Sequence, residues 1–142
     1  EHQVVALALV HGVGFLIGDE ALLDRLGAQL LGIHAAAVIT VNNYRDHDGD
    51  KANGKNTLAV RLGRPATKWI YTLEILAPYA LLPLLADLGW PAALPLLSLP
   101  LAGKLIHRFH NETPGPGFNQ ILAATAGLQL TFALLLSLSF TI

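Results

Sequence analysis

The chain has 142 residues, of which 53% are hydrophobic and 13% are charged, and its formal net charge is −1. A soluble domain usually carries about 25% charged residues, and a net charge near zero argues against a nucleic-acid partner. The chain has no cysteine, which excludes disulfides, thiolate nucleophiles and zinc–thiolate sites. It also has no methionine and opens with Glu1. We therefore expect a fragment or a processed product of a longer protein.

Five apolar stretches follow one another, at Val4–Ile17, Ala21–Val41, Trp69–Leu88, Trp90–Ile106 and Ile121–Ile142. They are rich in Ala and Leu and lack the alternation of a strand, which favours helices. A membrane span needs about 20 mostly apolar residues. The second, third and fifth stretches are long enough, the first is short, and the proline-rich fourth is marginal and should be kinked.

We therefore predict an all-α, multi-span transmembrane helical bundle of about five helices, formed by a single domain over residues 1–142. The alternative is a soluble five-helix bundle with a very apolar core. That alternative needs a polar face on every helix, and the fifth stretch has almost none.

The basic residues are distributed unevenly. Eight of the nine Lys and Arg residues lie between the second and third stretches or from Lys104 onwards, at the end of the fourth. If every stretch spans the membrane, these two segments face the same side, and the positive-inside rule makes that side cytoplasmic. We expect an integral protein of a bacterial or archaeal cell membrane with cytoplasmic loops at 42–67 and 104–118.

The polar segment that directly follows the second stretch carries the candidate chemistry. If the helix continues past Val41, then Asn42, Asp46 and Asp50 line one face, and Asp48 points away from it. Two carboxylates one turn apart repel each other unless a cation lies between them. Magnesium is typically held by one or two carboxylates together with substrate phosphates. Asp46 and Asp50 are therefore our candidate metal ligands and catalytic residues, binding a diphosphate through Mg²⁺.

Neighbouring side chains extend this candidate site. The amides of Asn42 and Asn43 can ligate the metal or hydrogen bond to the same assembly. Three cations can take up diphosphate charge and are candidate substrate-binding residues: Arg45, Lys55 and Arg61. The alternative is a solvated acidic helix end, because surface helices often contain Asp-x-x-x-Asp by chance. Gly49 is unfavourable inside a helix and marks a point where the shared face could be interrupted.

The motif Asn-Asn-x-Arg-Asp-x-x-x-Asp at 42–50 is followed by Gly-Lys-x-Thr-Leu-Ala-Val-Arg-Leu-Gly at 54–63. Together they closely resemble the second aspartate-rich motif of the UbiA superfamily of intramembrane prenyltransferases. The double Asn and the 54–63 segment are most similar to the menaquinone branch, 1,4-dihydroxy-2-naphthoate polyprenyltransferase. The segment 118–130 resembles the last helix of that branch, so the resemblance covers essentially the whole chain.

This resemblance implies a fold of nine transmembrane helices around a cavity, in which two facing aspartate-rich motifs bind a prenyl diphosphate through Mg²⁺. Asp46 and Asp50 match the two metal-binding aspartates of the second motif. The first motif has no counterpart in residues 1–142, so we expect the C-terminal half of the fold. The implied partners are prenyl diphosphate, dihydroxynaphthoate, the lipid bilayer and the N-terminal half of the same fold.

The implied reaction transfers a polyprenyl group to dihydroxynaphthoate, and we expect residues 1–142 alone to be inactive. Three alternatives remain open. The acceptor could be another aromatic such as 4-hydroxybenzoate, or the chain could be a non-catalytic membrane subunit or remnant. The third alternative is a small transporter or channel with an acidic mouth.

Several other polar residues lie near or inside the apolar stretches. His34, like His11, could bind an acceptor, although a single interhelical hydrogen bond is the simpler interpretation. Glu74 is either functional or directed to lipid headgroups. His107, Arg108 and His110 could form a zinc site, but a solvated loop beside anionic lipid is favoured.

Overall fold

The computed structural model describes residues 19–142, and this part of the chain is helical without any strand. The α-helices are α1 (Asp19–Arg45), α2 (His47–Ala52), α3 (Leu58–Leu81), α4 (Leu99–Asn111) and α5 (Phe118–Ser139). Two 3₁₀ segments, Leu82–Leu88 and Trp90–Ser98, connect α3 to α4. The predicted all-α class with about five helices is confirmed. The first apolar stretch, Val4–Ile17, which contains His11, lies outside the described residues.

Two helical segments within residues 19–142 are long and apolar enough to cross a membrane. They are Leu58–Ala86, with 29 residues, and Phe118–Ser139, with 22 residues. They cover most of the third and fifth predicted stretches. The second stretch lies in the continuous 27-residue helix α1, which is not one of these two segments.

The fourth stretch does not form one kinked helix. Its first part is the 3₁₀ segment Trp90–Ser98, which contains Pro91 and Pro95, and its second part is α4, with Pro100 in the first turn. Proline has no N–H to donate and clashes with the preceding turn, so closely spaced prolines prevent a regular α-helical ladder. The predicted proline effect is confirmed, but it is larger than a kink.

The core is built around α1, which packs along α3 and α5. Near the end of α1, four fully buried rings contact one another: Tyr44, Tyr71, Phe109 and Phe118. The Tyr71 hydroxyl forms a 2.9 Å hydrogen bond with Thr125 Oγ1, which satisfies its polar atom inside the bundle. These rings join four helices directly beneath the polar segment.

Two contacts bring the predicted loops to one end of the bundle. Arg45 Nη1 donates to Asn119 Oδ1 at 2.6 Å, and Lys68 Nζ donates to the carbonyl of His110 at 2.6 Å. The basic segments 42–67 and 104–118 therefore lie at the same end, as the charge distribution predicted. We call this the motif end, and we call the opposite end, formed by the two 3₁₀ segments, the proline end.

Candidate active site

The helical register runs from α1 into α2 with little interruption. The Asp46 N–H donates to the Asn42 carbonyl at 3.0 Å, and the Asp50 N–H donates to the Asp46 carbonyl at 2.8 Å. The only break is at Asp46, whereas Gly49 lies inside α2, so the expectation of a break at Gly49 is wrong. Asn42, Asp46 and Asp50 thus follow one another at intervals of one turn.

Asp46 is held by the arginine that precedes it. Arg45 Nε and Nη2 donate to the two carboxylate oxygens of Asp46, both at 2.8 Å. Arg45 Nη2 also donates to Asn42 Oδ1 at 2.8 Å, and Nη1 reaches Asn119 at the start of α5. The hydrogen bonds from Arg45 hold the pKa of Asp46 below its usual range, and they raise the pKa of Arg45 in turn. The carboxylate is therefore ionised and fixed in direction.

Asp50 is held by a lysine that a tight turn brings back to it. Gly54 has φ of 69°, its N–H donates to the Lys51 carbonyl at 3.2 Å, and the Lys55 N–H donates to the Asp50 carbonyl at 2.9 Å. These are the two bonds of a Schellman cap, in which glycine takes the left-handed position. The turn places Lys55 Nζ 3.0 Å from Asp50 Oδ1, and this contact raises the pKa of Lys55. Asp50 itself is only 7% exposed.

The rest of the 54–63 segment positions α3. Thr57 is the N-cap of α3, with its Oγ1 accepting from the Val60 N–H at 3.4 Å. Gly63 has φ of 80° and ψ of 165°, a conformation that essentially only glycine adopts, and it separates the first turn of α3 from the long apolar part. Four residues of this segment therefore have local structural roles: Gly54 forms the turn, Lys55 pairs with Asp50, Thr57 caps α3 and Gly63 forms the bend.

The remaining predicted residues lie near the site but differ in their exposure and in their charge pairing. Asn43 is half-buried on α1, and Arg61 is exposed on the first turn of α3. Asp46 and Asp50 pair with Arg45 and Lys55, so Arg61 is the predicted cation that neither of these two aspartates holds. Asp48 has an 82% exposed side chain and lies away from the face, as predicted.

Two residues that hold side chains of the site in place were not predicted from the sequence. Arg64 Nη2 contacts Asp48 Oδ2 at 3.0 Å, and its guanidinium lies 5.2 Å from the centre of the Tyr44 ring. This contact connects α2 to α3. The hydrogen bond from His47, together with the charge of Arg64, holds the pKa of Asp48 below its usual range. Asn119 holds Arg45 from 74 residues away. Arg64 directly follows the motif and could have been found, whereas no local signal links Asn119 to Arg45.

The donor set fits magnesium. Asp46, Asp50 and the Asn42 amide supply hard oxygen atoms from one helical face, which is the ligand type Mg²⁺ prefers. No group of three or more His, Cys, Asp or Glu residues converges within residues 19–142. A magnesium ion here would therefore take its other ligands from water and phosphate. For the same reason the zinc alternative at His107 and His110 has no support in the described residues.

Two polar side chains lie inside the bundle. His34 Nε2 donates to the Ile75 carbonyl at 3.2 Å, which confirms the predicted single interhelical hydrogen bond. Glu74 is half-buried on α3, and its Oε2 has no hydrogen-bond partner within residues 19–142. Its exposed and buried portions leave both interpretations of Glu74 open.

Comparison with known proteins gives one consistent family. Residues 4–118 match the model of the UbiA prenyltransferase family. The chain is 31% identical over 129 residues to UbiA prenyltransferase domain-containing protein 1 of Ailuropoda melanoleuca, covering 90% of this chain and 37% of the relative. It is 33% identical to the Xenopus tropicalis protein of the same name, with 90% of this chain and 36% of the relative covered.

A homologue of that protein from Drosophila melanogaster is 37% identical over 84 residues, which covers 58% of this chain and 23% of the relative. The chain spans 37% or less of the length of these three relatives. No solved structure matches it. The match to the family model covers most of the chain, and the chain therefore belongs to the UbiA prenyltransferase family.

Proposed function

We propose that this chain supplies the second aspartate-rich half of a Mg²⁺-dependent prenyltransferase site. The proposed reaction transfers a polyprenyl group from prenyl diphosphate to 1,4-dihydroxy-2-naphthoate in menaquinone biosynthesis. One observation carries the proposal: Asp46 and Asp50 follow each other by one helical turn just beyond the long helix α1, and each is paired with its own cation. Family membership supports prenyl transfer in general. The naphthoate acceptor rests on the resemblance of 42–63 to the menaquinone branch.

The pairing suggests how the site changes when substrate binds. Arg45 and Lys55 now neutralise Asp46 and Asp50, so the four groups together have no net charge. An arriving diphosphate competes for the same N–H donors, because both cations bind phosphate oxygens as readily as carboxylates. The carboxylates released in this exchange are then free to bind a divalent cation. Arg61, which neither of these two aspartates holds, adds a further positive charge.

The chemistry divides between the metal and the protein. Bound Mg²⁺ would supply Lewis-acid stabilisation of the departing diphosphate. Arg45, Lys55 and Arg61 would stabilise the same negative charge through their positive charges and their N–H donors. The C–O bond to the diphosphate breaks with its electron pair leaving on oxygen, and a ring carbon of the acceptor attacks the resulting allylic cation. In the menaquinone branch the ring loses its carboxylate as CO₂.

The apolar helices explain why this reaction belongs in a membrane bundle. Both candidate spans present leucines at their surface, including Leu73, Leu130 and Leu134, and an isoprenoid tail binds to such surfaces by burial of apolar area. Exclusion of water from the cavity also protects the allylic cation from hydrolysis.

The chain covers little more than a third of the length of its relatives. This bears on whether residues 1–142 are active without the rest of the protein. Two carboxylates bind a metal and a diphosphate weakly unless a facing motif contributes further ligands. We therefore propose that residues 1–142 are inactive without the N-terminal half of the fold. A non-catalytic subunit remains the second candidate, since the same half-site would also occur in such a protein.

The test is a transfer assay on the complete protein that contains this segment. Asp46→Asn and Asp50→Asn should each lower transfer from labelled prenyl diphosphate by at least 100-fold, which is typical for loss of a residue that stabilises a transition state. Asp48→Asn is the matched control and should stay within a few-fold of the wild type. Product with dihydroxynaphthoate but not with 4-hydroxybenzoate is expected. Equal transfer by all three variants would contradict the assignment of the aspartates.

A further inference from the structure

A cleft opens at the motif end, between α3 and α4, and it shares no lining residue with the aspartate site. Its volume is about 340 Å³. Residues of α3 form one wall and residues of one face of α4 form the other: Trp69, Thr72, Gly103, Ile106, His107 and His110.

The mouth of this cleft is positively charged. Lys68 Nζ donates one hydrogen bond, to the His110 carbonyl at 2.6 Å, and keeps two further N–H donors. Thr72 donates its single hydroxyl proton to the Lys68 carbonyl at 3.0 Å, so His110 Nε2 donates to Thr72 Oγ1 at 2.8 Å. Lys104 is exposed at the edge of the same α4 face.

No carboxylate lines the cleft within residues 19–142. The nearest acidic residue along α4, Glu112, is already paired with Arg108 at 3.0 Å. Two lysines therefore flank the lining residues, Lys68 through its bond to His110 and Lys104 as the neighbour of Gly103. No acidic residue within 19–142 lines the cleft, and this combination favours an anion.

An exposed apolar surface continues from the cleft along α3 and α4. The Trp69 ring is 70% exposed, and Leu73 and Leu76 follow it along α3 with 67% and 40% exposure. Leu99 continues the face of α4 and is 39% exposed. Gly103 leaves free space between the two walls, because a Cβ added there would meet no atom within 4 Å. The cleft thus suits a ligand with a charged head and an apolar chain.

We propose that this cleft binds an anionic phospholipid of the surrounding bilayer. Its phosphate would lie against Lys68, Lys104 and His107, and an acyl chain would follow Trp69 and Leu73. Basic pockets between transmembrane helices bind anionic headgroups, and tryptophan is enriched at the depth of the headgroups. A phosphodiester carries one negative charge and is matched by lysines alone. A metal-bound diphosphate is better matched by the aspartate site, since no carboxylate within residues 19–142 lines this cleft.

Trp69 provides the readout. The chain has two tryptophans, so in Trp90→Phe all tryptophan fluorescence comes from Trp69. The experiment reconstitutes this variant of the full chain into nanodiscs and measures quenching as the mole fraction of brominated phosphatidylglycerol or brominated phosphatidylcholine is raised. Half-maximal quenching should need a several-fold lower mole fraction of phosphatidylglycerol than of phosphatidylcholine. Lys68→Gln should lower that preference about fivefold, since one cation near an anionic lipid contributes roughly a factor of this size.

Gly103→Leu fills the cleft and should weaken quenching by both lipids. Gly127→Leu on α5 is the matched control, because its Cβ also meets no atom within 4 Å, and it should behave like the parent. Equal quenching by the two lipids, or an unchanged preference in Lys68→Gln, would overturn the proposal. Loss of the preference on addition of a soluble prenyl diphosphate without Mg²⁺ would also overturn it, because the cleft would then bind the diphosphate.

Discussion

The two ends of the bundle are organised by different interactions. At the motif end, charged and polar side chains contact one another across α1, α2, α3 and α5, and Arg45 alone bonds to Asn42, Asp46 and Asn119. At the proline end, the backbone is 3₁₀ and the contacts are mostly apolar. A cleft of about 300 Å³ there is lined by residues such as Leu82, Trp90 and Leu96.

This contrast separates two roles within one small bundle. The motif end holds side chains in fixed directions, which a site for a charged substrate requires. The proline end lacks the regular hydrogen bonds of an α-helix in its two 3₁₀ segments. The turn at Gly89, with φ of 70°, lies between these segments. Ser139 Oγ donates to the Pro91 carbonyl at 2.7 Å and satisfies one carbonyl there.

The largest expected effect is an all-or-none difference in accessibility between the two ends. The chain has no native cysteine, so single cysteines can be placed at Asn53 in the motif end and at Ala93 in the proline end. The excess of basic residues at the motif end predicts that Asn53→Cys reacts with a membrane-impermeant maleimide only from the cytoplasmic side. Ala93→Cys should react only from outside. Labelling of Asn53→Cys in intact cells would show that the orientation is reversed.

The next largest effect should come from the aromatic cluster under the motif end. Phe109 is fully buried and contacts Tyr44, Tyr71 and Phe118. Phe109→Ala should lower the free energy of unfolding by about 3–5 kcal/mol, the usual cost of deleting a buried ring. Leu97→Ala at the proline end, where the side chain is 70% exposed, should change it by less than about 0.5 kcal/mol.

Both variants can be compared by SDS titration in mixed micelles, with helix content followed by circular dichroism. Similar midpoints for Phe109→Ala and Leu97→Ala would mean that the cluster does not stabilise the motif end.

A smaller effect is expected at the bend of α3. Gly63 adopts a conformation that a side chain strains, so Gly63→Ala should cost about 1–3 kcal/mol. Gly127→Ala is the control, because Gly127 is helical with free space around it, and it should be neutral or stabilising by up to about 1 kcal/mol. The same SDS titration measures both. A stabilising Gly63→Ala would show that the bend is not fixed by this residue.

The smallest effect should be that of pH on the Asp46–Arg45 pair. Arg45 lowers the pKa of Asp46, so the pair contributes its full stability at neutral pH and loses it only as the pH falls through that lowered pKa. When labelled chain in micelles is titrated by ¹³C NMR down through the ordinary aspartate pKa of about 3.9, the Asp46 carboxyl resonance should change only below that ordinary range. In Arg45→Gln the titration should move up toward the usual aspartate range. Identical titrations in the two proteins would refute the pairing.

The sequence predicted the motif end better than the proline end, for physical reasons. The spacing of Asn42, Asp46 and Asp50 is a property of the helix itself, and the Gly54 turn follows from local rules, so neither depends on distant contacts. Asn119 was missed because its bond to Arg45 depends on how α5 packs against α1. The 3₁₀ segments were missed because several prolines together with Gly89 act jointly on the backbone, and hydropathy alone does not register this.

Binding of Mn²⁺ is the sharpest test of the proposed metal ligands Asp46 and Asp50, because Mn²⁺ replaces Mg²⁺ at oxygen sites and is visible by electron paramagnetic resonance. The measurement titrates Mn²⁺ into the complete protein with an unreactive prenyl diphosphate analogue. We expect a bound signal in the wild type and in Asp48→Asn, and its loss in Asp46→Asn and Asp50→Asn. A bound signal of equal intensity in all four proteins would show that the two aspartates are not the metal ligands.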